Sequence, residues 1–168
     1  PYSAVMKHFT ASVYIVDGDR LLLIDHPKLG LLLPPGGHLE ANETPVEAAH
    51  REVLEETGCT IEIASDEHLT IDRWNALSMP RPFLCLLENI PQHKETPPHT
   101  HIDCIYLARL TSEPQSLPDG CRWYSRDEIA AMEGDVELFT ETQDVALHIL
   151  DSAAKRDFFN TGARWARP

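Results

Sequence analysis

Apolar residues recur along this chain in two rhythms, and each change of rhythm marks an element. Short apolar-rich runs predict strands over Phe9–Val16, Arg20–Asp25, Leu31–Leu33, Thr60–Ala64, Phe83–Glu88, Ile102–Arg109 and Cys121–Tyr124. Asp17-Gly18, between the first two, predicts a hairpin turn. Helical spacing takes over between Pro45 and Thr57, where Val46, Ala49 and Val53 form one stripe. It returns near the end, where Val145, Ala146, Ile149, Leu150 and Ala153 form another. Capping boxes predict the helix starts: Thr44 with Glu47, Ser125 with Glu128, and Thr140 with Gln143. Pro45 suits the first helical position, and Gly58 suits the left-handed residue that ends the first helix.

Helices on both faces of a central mixed sheet give an α/β fold, an α/β/α sandwich, as one domain over residues 1–155. The tail, residues 156–168, carries Phe158, Phe159 and Trp165. Such aromatics seek cover, so the tail packs on its own domain, packs on a second subunit in a homodimer, or stays disordered. Leu31–Leu33 runs into Pro34-Pro35-Gly36-Gly37, where the prolines stop the ladder and the glycines let the backbone turn closely.

The polar side of the first helix changes the picture. Glu52, Glu55 and Glu56, spaced i, i+3 and i+4, crowd into an arc of about 100°. Glu56 falls beside Ala49 at the edge of the apolar stripe, where a repelling, partly desolvated charge calls for a cation. Hard divalent ions such as Mg²⁺ take carboxylate, water and phosphate oxygens, which this cluster could supply. The plainer alternative is a solvated acidic face with Glu47 and Arg51 as an i, i+4 pair.

The wider spacing bears on that choice. Gly37 is followed after five residues by Glu43, and after seven more by Arg51, Glu52, Val53, Glu55, Glu56, Gly58 and Cys59. This pattern resembles the Nudix box of the Nudix hydrolases, with Cys59 where the family usually has an aliphatic residue. The resemblance implies the Nudix-type sandwich and metal-dependent hydrolysis of a nucleoside diphosphate linked to another moiety, with Mg²⁺ or, alternatively, Mn²⁺ as cofactor. It implies Glu55 and Glu56 as metal ligands, Glu52 as a ligand or the general base, and the Gly36 carbonyl as a further candidate ligand. Arg51 would orient the glutamates, with Glu43 pairing with it or reaching the metal through water. A base from outside the box is also common in the family, and Asp103 is the candidate here, with Glu88 behind it.

His99, His101 and Asp103 alternate on one strand face, where they could meet a transition metal, a phosphate, or nothing. His101 is therefore a candidate substrate contact. Arg73 and Arg81 could hold a phosphate and Trp74 could stack on a base; salt-bridged surface arginines and a core-rim tryptophan are the bland counterparts. His8, His26, His50 and His68 share no spacing and read as structural or surface residues. Trp74, Asn75, Ala76 and Leu77 stand where ADP-ribose enzymes of the family carry Pro and dinucleoside polyphosphate enzymes carry Tyr.

Charge narrows the partner. The 168 residues carry a formal net charge of −13, which disfavours DNA, RNA or an anionic membrane and favours a small-molecule, nucleotide-type diphosphate. Enzymes acting on RNA 5′ ends and noncatalytic binding modules of the same fold are the competing readings. Cys59, Cys85, Cys104 and Cys121 form no CxxC pair and read as buried, reduced thiols. With no apolar run of membrane-spanning length and no signal-like start, a cytoplasmic location is expected.

Overall fold

The computed structural model describes residues 6–65, 69–151 and 164–166. Strands β1 (Lys7–Asp17), β2 (Arg20–Asp25), β3 (Leu32–Leu33) and β4 (Gly36–His38) precede helix α1 (Pro45–Thr57). Then come β5 (Thr60–Ser65), the small hairpin β6 (Asp72–Arg73) and β7 (Ala76–Leu77), β8 (Leu84–Ile90), β9 (His99–Ser112) and β10 (Cys121–Ser125). Helices α2 (Arg126–Ala131) and α3 (Thr140–Asp151) follow, and β11 (Arg164–Ala166) closes the chain.

Two long strands form the spine of the main sheet. β1 and β9 run parallel from the pair Lys7 and Thr100 to the pair Ile15 and Ala108. Each changes partner along its free edge. β1 pairs antiparallel with β4 at Thr10–Ser12 and with β2 at Val16–Asp17. β9 pairs antiparallel with β8 from Ile90 and His99 to Leu84 and Ile105, then with β5 from Ala108 to Ser112. The mixed sheet runs β10-β2-β1-β9-β5-β11, with β3, β4 and β8 paired off this path to β2, β1 and β9.

Strand alternation divides the core. Ala11, Val13 and Ile15 of β1 face Ala48, Ala49 and Val53 of α1. Tyr14 and Val16, with Ile105 and Leu107, face Ile129 of α2 and Ala146 and Ile149 of α3. These layers make the expected α/β/α arrangement. No helix among the described residues is long and apolar enough to cross a membrane.

Several local expectations change. The first hairpin turns at Gly18-Asp19, because Asp17 already pairs with Arg20. Gly36 and Gly37 lie in strand β4 and not in a turn. The Thr140 box does not form: the Asp135 carboxylate accepts from the Thr140 amide at 3.0 Å, and Gln143 donates to the carbonyls of Ile129 and Met132, tying α3 to the end of α2. All four cysteines are free, but Cys85 is exposed. Of the tail, Arg164–Ala166 pairs with β5 as an added strand. His68, Ala153, Phe158 and Phe159 lie outside the described residues.

Candidate active site

α1 is placed by its ends. Thr44 accepts from the Glu47 amide, Glu47 reaches back to the Thr44 amide, and Gly58 closes the helix in the left-handed region at φ 71°. Burial of Ala48, Ala49 and Val53 then fixes its rotation and brings Glu52 and Glu56 over β4.

The two glycines of β4 are required by space. A side chain on Gly36 would strike the Ala11 carbonyl and Ser12, and one on Gly37 would run into the Glu52 carboxylate. With that room, the Gly36 N–H donates to Glu56 Oε1 at 2.8 Å, so the backbone of β4 receives the carboxylate directly. Burial pushes the Glu56 carboxyl above the ordinary carboxylate range; the Gly36 bond opposes the rise, and the charges of Glu52 and Glu55 add to it.

Arg51 binds the acids together. Its guanidinium donates to both oxygens of Glu43, to Glu52 at 2.8 Å, to Glu55 at 3.2 Å and to the His38 carbonyl at 3.0 Å. The alternative pairing of Arg51 with Glu47 is not made, because Glu47 is engaged in the cap. Arg51 lowers the pKa of Glu43 chiefly by direct hydrogen bonding. The side chain of Glu52 is 14% exposed and that of Glu55 59%, so one carboxylate is shielded and the other faces solvent while still bound to Arg51.

Asp103 lies on the other edge of β1. It is buried, opposite Thr10 in register, and accepts from the Thr10 hydroxyl at 2.8 Å. Burial and then the Glu88 charge raise its pKa, against hydrogen bonds from Ser12 and Thr10. Strands lie about 4.8 Å apart, so Asp103 stands roughly 10 Å, two strand spacings, from the β4 backbone that Glu56 binds. Alternation along β9 turns its side chain to the face of the sheet opposite α1, so it does not join the α1 carboxylates.

The remaining candidates are dispersed. Arg73 donates to the Asp72 carbonyl, and Trp74 is 97% exposed on the β6–β7 hairpin, not at the rim of the core. Arg81 lies on the exposed segment before β8. His101 and His99 meet instead at 3.1 Å between Nε2 atoms, with His8 and His38 beside them. His8 is thus part of a cluster, which its isolated position in the sequence gave no sign of.

Residues 6–143 match the family model described as NUDIX domain. The chain belongs to the NUDIX family. As a Nudix hydrolase it acts on phosphoric anhydride bonds. Phosphatase NudJ of Escherichia coli (strain K12) is 34% identical over 128 residues, covering 73% of this chain and 71% of that protein. "Probable DHNTP pyrophosphohydrolase" of Lactococcus lactis subsp. cremoris (strain MG1363) is 32% identical over 110 residues, which span 66% of this chain and 58% of that protein. Among solved structures, a NUDIX family hydrolase from Clostridium perfringens superposes with a TM-score of 0.69 at 30% identity, over 86% of this chain and 96% of that one.

Proposed function

We propose that this Nudix hydrolase is a Mg²⁺-dependent pyrophosphohydrolase for a small nucleoside diphosphate derivative. The observation that carries the reading is the gathering of Glu52, Glu55 and Glu56 at the edge of β4, with Glu56 desolvated yet facing two like charges. Such a donor set suits a hard divalent ion, and Glu55, Glu56 and the Gly36 carbonyl would hold it. In a strand the N–H and C=O of one residue point to the same side, so Gly36 directs its carbonyl toward the edge where Glu56 sits. Bound there, Mg²⁺ would neutralise phosphate charge and acidify a water.

The chain's own groups supply the rest. Arg51 is a positioning residue that fixes Glu52 and Glu55. Of the two candidate bases, Glu52 is the better placed to take a proton from the attacking water, because it lies against β4 on the α1 side, whereas Asp103 projects from the other face of the sheet. Arg73 and Arg81 would supply phosphate contacts and Trp74 a stacking face for a base.

The test is a panel of nucleoside diphosphate derivatives, nucleoside triphosphates and 5′-triphosphorylated RNA at equal concentration, with Mg²⁺, Mn²⁺ or chelator, across a salt series. Small substrates should turn over faster and with weak salt dependence, because few counterions are released. Faster turnover of RNA with a steep loss at high salt, or activity undiminished by chelator, would overturn the proposal.

A further inference from the structure

We propose that His8, His38, His99 and His101 form a site for one divalent transition ion of the zinc class, separate from the carboxylate cluster and on the opposite face of the sheet. Alternation fixes the face. His8 follows the same side of β1 as Thr10 and Tyr14, and His99 and His101 the same side of β9 as Asp103 and Ile105. His38 is paired with Thr10 and so shares that side, while its neighbour Gly37 faces Glu52 of α1.

The four rings offer one nitrogen each, all within 4.8 Å of one another. Their outer atoms show which nitrogens are free. His99 Nδ1 lies 3.0 Å from the Pro97 carbonyl, which can only accept, so Nδ1 carries the hydrogen. His101 Nδ1 lies 3.6 Å from a Glu88 carboxylate oxygen, beyond hydrogen-bond distance, but the nearby negative charge favours the tautomer with its hydrogen on Nδ1. In neutral rings both Nε2 atoms are then lone pairs, and they face each other at 3.1 Å. Two acceptors at that distance repel unless a cation lies between them. His8 Nδ1 is also buried with no hydrogen-bond partner.

A metal ion resolves these features together. Zn–N bonds of about 2.0–2.1 Å in a tetrahedron place ligand nitrogens about 3.4 Å apart, close to the His99–His101 spacing. The other pairs lie within 4.8 Å, so side-chain rotations would have to draw the four nitrogens together around the ion. The outer partners are those that ligating histidines normally have, a carboxylate on one and a backbone carbonyl on another. Imidazole donors favour zinc, nickel or copper over magnesium, which takes oxygen. The bound ion would join the start of β1, the end of β4 and the start of β9, three segments distant in sequence. His101 is thereby a metal ligand and not a direct substrate contact.

Metal-stripped protein is titrated with Zn²⁺, and in parallel with Co²⁺, as wild type, His38→Ala, His99→Ala and Glu55→Gln. In wild type and Glu55→Gln alike, one equivalent should bind with the intense visible absorption of tetrahedral cobalt, distinct from any weakly absorbing uptake at the carboxylates. At about 100-fold excess of Zn²⁺ over Kd, their melting temperatures should rise by roughly 5–10 °C. Each histidine variant should lose at least about tenfold in affinity, or about 1.4 kcal/mol. Should a variant fail to fold, imidazole ¹⁵N spectra of wild type must show the four rings shifting together on adding Zn²⁺. No uptake, uptake undiminished in both histidine variants, uptake abolished by Glu55→Gln, or unshifted rings would each overturn the site. A proton shared between His99 and His101 would appear as the first of these.

Discussion

Arg51 grips Glu43 with two parallel hydrogen bonds, Nε to Oε1 at 2.8 Å and Nη2 to Oε2 at 2.9 Å, and spends its remaining nitrogen on Glu52 and Glu55. A lysine cannot reproduce that fork. Arg51→Lys should lower stability by about 1–2 kcal/mol, since both partners are largely shielded from water, and the melting temperature by roughly 3–6 °C. Turnover should fall further than stability suggests, because Glu52 and Glu55 lose their common anchor. Thermal melts beside kcat measurements check both parts.

The same pair has a pH signature. Glu43 has its folded pKa depressed, chiefly by its hydrogen bonds to Arg51. Its contribution is present above the ordinary glutamate range and disappears as pH falls through the depressed folded value. Denaturant melts from neutral to acid pH should show a steeper loss in wild type than in Glu43→Gln. Parallel curves would refute the linkage.

Gly37→Ala tests how closely α1 presses on β4. The added methyl meets the Glu52 carboxylate, the far end of a flexible side chain, so the fold should survive while Glu52 is displaced. The expected result is a loss of at least about tenfold in kcat, equivalent to about 1.4 kcal/mol, with a far smaller change in melting temperature.

Glu52 and Asp103 can be separated as bases. General-base removal costs about 10²–10⁴ in rate, so single-turnover hydrolysis by Glu52→Gln should fall by that amount. Asp103→Asn, changed two strands away, should fall by about tenfold or less. The reverse order would move the base to Asp103.

Trp74 has almost no packing to lose, being 97% exposed. If it stacks on a base, Trp74→Ala should raise KM several-fold and leave kcat and the melting temperature nearly unchanged. Quenching of its fluorescence by a nonhydrolysable nucleotide is the direct check.

Some of this site is legible in the sequence. α1 is written locally, because Thr44, Glu47 and Gly58 set its ends and three small apolar residues set its face. The carboxylate cluster follows from helical spacing alone. β4 is not legible, since two adjacent glycines read as a turn until β1 and Glu52 occupy the space around them. The Thr140 motif matches a capping box in composition, but the Ile129 and Met132 carbonyls at the end of α2 claim Gln143. The histidine cluster is assembled from three strands, and no local spacing links His8 or His38 to His99 and His101.

The parallel pairing of β1 with β9 also governs how the chain folds. Thr10 and Asp103 touch although they are 93 residues apart, so the spine forms only by closing a long loop. Such closure costs entropy before the contacts repay it, and folding dominated by distant pairings is slow. During synthesis α1 can form early, with its glutamates already in place, but it has no completed sheet to lie against until β9 emerges. The newborn chain therefore carries the signature of the enzyme, residues 37–59, well before β9, residues 99–112, gives it a sheet on which to carry the activity.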